Sequence, residues 1–225
     1  MCGRFTLANP TAALNAMPWL HDAPPLSPHH NIAPGQQTLM IHGQPQPIAR
    51  LARWGIVKNW TSRAGNLLIN ARAQTVLETP TFADSFRHRR CVIPADGFYE
   101  WSKTGTTAQP FLFQLTSGAP FCLAGLHEHS GGEMNFVILT TNANATVKHV
   151  HARMPVMLSP ADALAYLTTS ADAPEMRHLF QPFPSERMIS HRVSPLVNRV
   201  ENDSPACMQP YHPQSGQQGD LFRST

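Results

Sequence analysis

Cys91-Val92-Ile93-Pro94-Ala95-Asp96-Gly97-Phe98-Tyr99-Glu100-Trp101 is the stretch on which the fold turns. Two runs of strand length flank Asp96-Gly97, a turn-favouring pair, so the segment reads as strand, turn, strand. Downstream, residues 111–115, 121–126 and 136–140 are three further strand candidates, separated by Gly, Ser and Pro. Upstream, residues 38–41 and 48–54 form a strand pair across Gly43-Gln44-Pro45, and residues 67–69 lead as a strand into Asn70-Ala71-Arg72-Ala73-Gln74-Thr75. The helices are short: residues 11–17, ended by Pro18; residues 82–90, with apolar positions at helical spacing; residues 144–149; and a helix running to Leu167, with Ser159 as its N-cap. Residues 21–34 read as a long loop, and residues 193–198 close the fold.

The chain has 225 residues, 42% of them hydrophobic, which is enough for one domain with a sizeable core. Only 14% are charged, whereas 21 are proline, so many loops and short elements are expected rather than a helical bundle. The expectation is an α+β fold: a single domain over residues 1–210, mostly antiparallel strands curled into a barrel-like core, and short helices outside. Residues 211–225 are polar and Gln-rich and are expected to be a disordered tail. A formal charge of +3 fits a local basic surface and excludes a histone-like polycation. Cys2, Cys91, Cys122 and Cys207 form no CxxC pair and no zinc-like spacing, so no metal or cofactor is expected. Cys91 and Cys122 lie in apolar runs and read as buried thiols. Neither a signal peptide nor an apolar run of membrane-spanning length is present, and the expectation is a soluble, cytoplasmic monomer.

The chain opens Met1-Cys2-Gly3-Arg4, and residues 5–7 continue as an apolar segment that anchors this end in the body. Methionine is readily trimmed before a small residue. Its removal leaves Cys2 with an amine and a thiol on adjacent carbons. Their reference pKa values, about 7.7–8.0 and about 8.5, leave both partly deprotonated near neutral pH. Toward an aldehyde such a pair reacts distinctively: the amine condenses to a Schiff base, and the thiolate then closes a thiazolidine ring. Acyl transfer by an N-terminal nucleophile is the other available chemistry. Taken alone, a Met-Cys start is more often an accident of sequence.

Other positions carry chemistry with equally plain structural alternatives. Glu100 stands between Tyr99 and Trp101, where burial would raise its pKa and suit it to proton transfer; an alternating strand equally points it to solvent. His151 is a candidate proton shuttle, although in a chain with 12 histidines a single one is usually structural. Asn70 either orients an amine or sugar or caps the turn that follows it. Trp54 and Trp60, with Arg53, Lys58 and Arg63, form an aromatic and basic cluster of the kind that stacks unpaired bases and tracks phosphates. Core packing of at least one tryptophan is the competing reading. The run Arg87-His88-Arg89-Arg90 reads as a solvated helix end.

Together these positions are more specific. Cys2-Gly3-Arg4, Asn70-Ala71-Arg72-Ala73, the stretch from Ile93 to Trp101, His151-Ala152-Arg153-Met154-Pro155, and Val193-Ser194 with Asn198 stand in the order of one family. From Cys2 to Met208 the chain resembles the SRAP (SOS response-associated peptidase) family. The resemblance implies recognition of abasic sites in single-stranded DNA and their covalent capture as a thiazolidine at Cys2. It implies that Asn70 positions the sugar or the amine, that Glu100 handles protons, and that His151 protonates the opening sugar oxygen. Arg4, Arg72 and Arg153 match positions that hold phosphates, and Trp54 and Trp60 lie where the family has a wedge and stacking surface. A self-processing peptidase step that removes Met1 is also implied, with lyase activity where the Schiff base stays open. Gln74, Lys58 and His127 depart from the pattern, which usually has Glu, Pro and an aromatic there. Two other readings remain: an N-terminal-nucleophile amidotransferase, for which no glutamine-binding or oxyanion element is visible, and a non-covalent single-stranded DNA binder.

Overall fold

The computed structural model describes residues 2–43, 46–57, 67–102 and 108–212. In chain order the elements are β1 (Arg4–Leu7), α1 (Pro10–Asn15), β2 (His29–Ile32), β3 (Gln37–His42), β4 (Ile48–Trp54), β5 (Asn70–Arg72), α2 (Pro80–His88), β6 (Arg90–Ala95) and β7 (Gly97–Ser102). There follow β8 (Gln109–Leu115), β9 (Phe121–Ser130), β10 (Glu133–Asn142), α3 (Ala145–Lys148), β11 (Arg153–Pro155), β12 (Met157–Leu158), α4 (Pro160–Thr168), α5 (Pro174–His178) and β13 (Met188–Arg192).

Five strands close on themselves. β10 pairs with β9, β9 with β6, β6 with β3, β3 with β4, and β4 returns to β10. Closure leaves these strands no free edges. The contacts are antiparallel except for β4 against β10, and β5 continues along the same edge of β10, also parallel. A second, wholly antiparallel sheet has the order β13-β8-β7-β1-β2. The expected α+β architecture with a barrel-like core is what forms; the parallel edge is the feature that local sequence did not announce.

The strand-turn-strand stretch is not a hairpin. β6 belongs to the barrel and β7 to the second sheet, so Asp96-Gly97 is the corner where the chain changes sheets. Asp96 Oδ1 accepts from the Thr6 hydroxyl and Oδ2 from the Asn9 N–H at 2.8 Å, which ties the corner to β1. A side chain at Gly97 would bring Cβ to 2.9 Å from both Leu112 Cδ1 and Thr6 Oγ1, so the corner requires glycine.

Alternation along the barrel strands sorts the core into two faces. Met40, Ala52, Trp54, Cys91, Ile93, Leu123, Phe136 and Ile138 share one cluster, which runs on into Cys2, Phe5, Phe98 and Phe113. Ile41, Val92, Ala124, Leu126, Val137 and Leu139 face the other way, against Phe86 of α2 and Tyr166 of α4. The helices therefore cover the outside of the barrel. The basic run that ends α2 and leads into β6 is only partly solvated: Arg87 and His88 are exposed, but Arg90 is 6% exposed. Arg90 donates to Phe86 O at 2.9 Å and Tyr166 O at 2.8 Å, neutralising the carbonyl ends of two helices at once.

Ser159 caps α4 as expected, accepting from Asp162 N–H at 3.1 Å. The expected loop at 21–34 contains β2, which pairs with β1. Tyr211 N–H still donates to Arg192 O at 2.8 Å, so the first residue of the expected tail is bonded to β13; residues 213–225 lie outside the described ones.

Candidate functional site

β1 emerges beside β7 with Arg4 opposite Tyr99, so Glu100 lies one residue beyond the last pair, on the side from which the chain leads back to Cys2. Cys2 is fully buried. Its carbonyl accepts from Asn70 Nδ2 at 2.8 Å, and Asn70 sits at the start of β5, in register with Ile138 of β10. The parallel edge of the barrel thereby reaches Cys2, just ahead of β1. Asn70 Oδ1 is buried with no hydrogen-bond partner among the described residues. Burial, reinforced by the Glu100 charge, pushes the Cys2 thiol well above its ordinary pKa.

Glu100 is 3% exposed, which excludes the solvent-facing alternative. Burial raises its carboxyl above the usual range, against the opposing pull of His151. His151 follows α3, whose N-cap Asn144 accepts from Val147 N–H at 3.0 Å, and His151 N–H donates to Val147 O at 3.0 Å. His151 Nδ1 lies 3.0 Å from both the N–H and the carbonyl of Arg153. Accepting from that N–H leaves the proton of the neutral ring on Nε2; in the doubly protonated ring, Nδ1–H donates to the carbonyl. Segments from opposite parts of the chain are thus linked in sequence: Asn70 holds the Cys2 carbonyl, Glu100 acts electrostatically on the Cys2 thiol, and His151 acts on Glu100.

The arginines differ from one another. Arg72 is exposed and in no ion pair among the described residues. Arg153 is half-buried and donates to the Thr140 carbonyl and hydroxyl and to Gln74 Oε1 at 3.0 Å, while Gln74 Nε2 donates to Thr141 Oγ1 at 3.0 Å. Burial and the neighbouring Arg72 charge lower its pKa. Gln74, one of the departures from the family pattern, is thus a neutral brace for Arg153. Arg4 is already engaged: Nη1 donates to Asn31 Oδ1 at 2.7 Å and Val197 O at 2.8 Å, and the guanidinium lies 5.8 Å from the Trp101 ring.

Trp54 corrects an expectation. It offers no stacking surface: it is fully buried, 5.2 Å from Phe5 and parallel to Phe136, with Nε1 donating to Ile69 O at 2.9 Å. Of the tryptophan pair it is the core member; Trp60, Lys58 and Arg63 lie outside the described residues. Trp101, the last residue of the Ile93–Trp101 motif, is half-buried and donates to Asn198 Oδ1 at 2.7 Å. Among the described residues no group of three or more His, Cys, Asp or Glu side chains gathers to hold a metal, and no helix is long and apolar enough to cross a membrane.

The family model for SOS response associated peptidase (SRAP) matches residues 1–200. The Bacillus subtilis abasic site processing protein YoqW is 34% identical over 93% of this chain and 99% of its own length. The Escherichia coli abasic site processing protein YedK is 28% identical over 93% of this chain and 100% of its own. A crystal structure of a Bacteroides thetaiotaomicron protein, 20% identical, superposes with a TM-score of 0.78 over 94% of this chain and 100% of that one. That likeness concerns the fold alone.

Proposed function

Because the chain belongs to the SOS response associated peptidase family, we propose that it processes abasic sites, capturing them in single-stranded DNA at Cys2 as a thiazolidine crosslink that shields the lesion from strand cleavage. The observation that carries this reading is the convergence on Cys2: its carbonyl held by Asn70, its thiol beside a buried carboxyl, and His151 within electrostatic reach of that carboxyl.

Removal of Met1, the peptidase step this reading requires, frees the Cys2 amine. With the thiol held protonated by burial, the amine attacks first. It adds to the aldehyde carbon of the ring-opened sugar, a proton moves from nitrogen to oxygen, and loss of one water leaves the Schiff base. His151 Nε2–H is suited to protonate the sugar ring oxygen as it opens. The protonated imine is a cation, and its charge lowers the pKa of the adjacent thiol. Sulfur then adds to the imine carbon, its proton passes to nitrogen, and the ring closes with nothing further lost. A carboxyl whose pKa burial raises is better suited both to give and to take a proton than an exposed one, the role proposed for Glu100. If the ring does not close, the Schiff base remains open to β-elimination, which is lyase activity. Exposed Arg72 and the braced Arg153 are the proposed phosphate contacts on the barrel side, where charge contacts dominate affinity.

Cys2→Ser retains the amine but removes the sulfur. We expect its adduct with an abasic oligonucleotide to be weaker and heat-labile; an adduct as heat-stable as the wild type's would remove the thiazolidine from the mechanism.

A further inference from the structure

The five-stranded sheet carries a row of side chains that the proposed chemistry leaves unused. Glu100 on β7 is the register partner of Phe111 on β8, and Phe111 is the register partner of Arg192 on β13. Directly opposed residues of antiparallel strands share a face, so the three stand in line, leading away from the carboxyl over two strand spacings, about 10 Å. The Arg192 guanidinium lies 6.0 Å from the Phe111 ring centre. His149, just after α3, meets the same ring edge-on, with centres 5.7 Å apart and planes at 86°. Phe111 is half-buried, whereas His149 and Arg192 are exposed, and neither is in an ion pair among the described residues. Exposed Lys148 adds a second cation to Arg192, next in sequence to His149.

Core packing accounts for the buried side of Phe111, which lies against the main core, but not for the charge around its open side. An aromatic corner beside the Arg192 and Lys148 cations, neither paired to a carboxylate among the described residues, is complementary to a nucleotide: a base stacks on the rings, and a phosphate meets the guanidinium. We propose that Phe111, His149 and Arg192 form a subsite for the nucleotide next to the captured sugar, with its base on the Phe111–His149 corner and its phosphate on Arg192. The subsite rests on the reading of Cys2 as the point of capture. Arg72 and Arg153 approach from the barrel strands and this row from the other sheet, so the subsite serves the DNA on only one side of the lesion.

The test uses two single-stranded oligonucleotides bearing a tetrahydrofuran abasic analogue, which binds without covalent capture. One carries flanking nucleotides only 5′ of the lesion, the other only 3′. His149→Ala and Arg192→Gln should each raise Kd about five- to tenfold for one oligonucleotide and change the other far less. Arg192→Gln should also lower the salt slope by about one for that oligonucleotide alone, and Arg192→Lys should restore it. Equal losses on both oligonucleotides, or none on either, overturn the subsite. Authentic abasic DNA separates the two readings. If wild-type protein captures it while the variants keep wild-type Kd values, the subsite alone fails. If wild-type protein neither captures it nor prefers the analogue to intact DNA, the capture reading fails and the subsite falls with it.

Discussion

Trp54 and Glu100 are sealed from solvent almost equally, at 0% and 3% exposure, yet burial acts on them in opposite ways. Trp54 lies in the barrel core with its one polar atom bonded to Ile69 O, so removing its ring from water contributes roughly 2–3 kcal/mol without opposing cost. Burial of Glu100 instead opposes its ionised form, and Asn70, which holds the Cys2 carbonyl, keeps a buried oxygen without a partner among the described residues. At Trp54 the polar atom is satisfied. In the cleft the Cys2 thiol and the Glu100 carboxyl are both shifted by burial, and perturbed groups gather where chemistry is to be done.

The largest effect expected from this contrast is on catalysis. Glu100→Gln should slow capture of an abasic oligonucleotide about 100- to 10,000-fold, the range of a lost acid–base group. Its stability should move the other way. Because the folded-state pKa of Glu100 is raised, the favourable protonated state is fully present below the ordinary carboxylate value, about 4.3, and is lost as pH rises through the raised value. Melting curves should therefore show Glu100→Gln gaining on the wild type from acid toward neutral pH. A variant with an undiminished capture rate, or one less stable at pH 7, would make Glu100 structural.

Trp54→Ala should cost about 3–5 kcal/mol in denaturant unfolding, as a core truncation does, and the protein that remains folded should bind DNA as before. Unaltered stability with lost DNA affinity would return Trp54 to the surface.

A smaller effect is expected at the His42–His127 pair, whose ring centres are 4.6 Å apart. Burial first, then His42 and Arg89, push His127 down to about 4, and burial and Arg50 lower His42. A lowered folded-state pKa gives stability that is present above the ordinary histidine value, about 6.5, and lost as pH falls through the lowered one. His127→Phe should flatten the fall in melting temperature between about pH 6.5 and pH 4; an equally steep fall would clear His127 of that role.

The strands at 48–54 and 91–101 were legible because their apolar runs and turn residues are local properties. β2 was not: it is four residues amid prolines, and only its pairing with β1 makes it a strand. The direction of Glu100 was hidden for a related reason. Phe98 and Tyr99 are both fully buried, so β7 is covered on both faces and alternation carries no inside or outside there. Trp54 was ambiguous until Phe136 and Phe5 supplied its surroundings. Cys2, Asn70, Glu100 and His151 each carried a plain structural alternative when taken singly, and only the order of motifs shared with one family singled them out. Their convergence depends on the parallel β5–β10 pairing, which no local pattern encodes. The line from Glu100 to Arg192 likewise exists only in the register.

Intact-mass spectrometry, before and after incubation with a single-stranded oligonucleotide bearing one abasic site, tests covalent capture at Cys2 most directly. The predicted result is protein lacking Met1 that gains the mass of the oligonucleotide minus one water, with the gain abolished in Cys2→Ala. Protein that keeps Met1 and gains no mass, or a gain that survives Cys2→Ala, would contradict it.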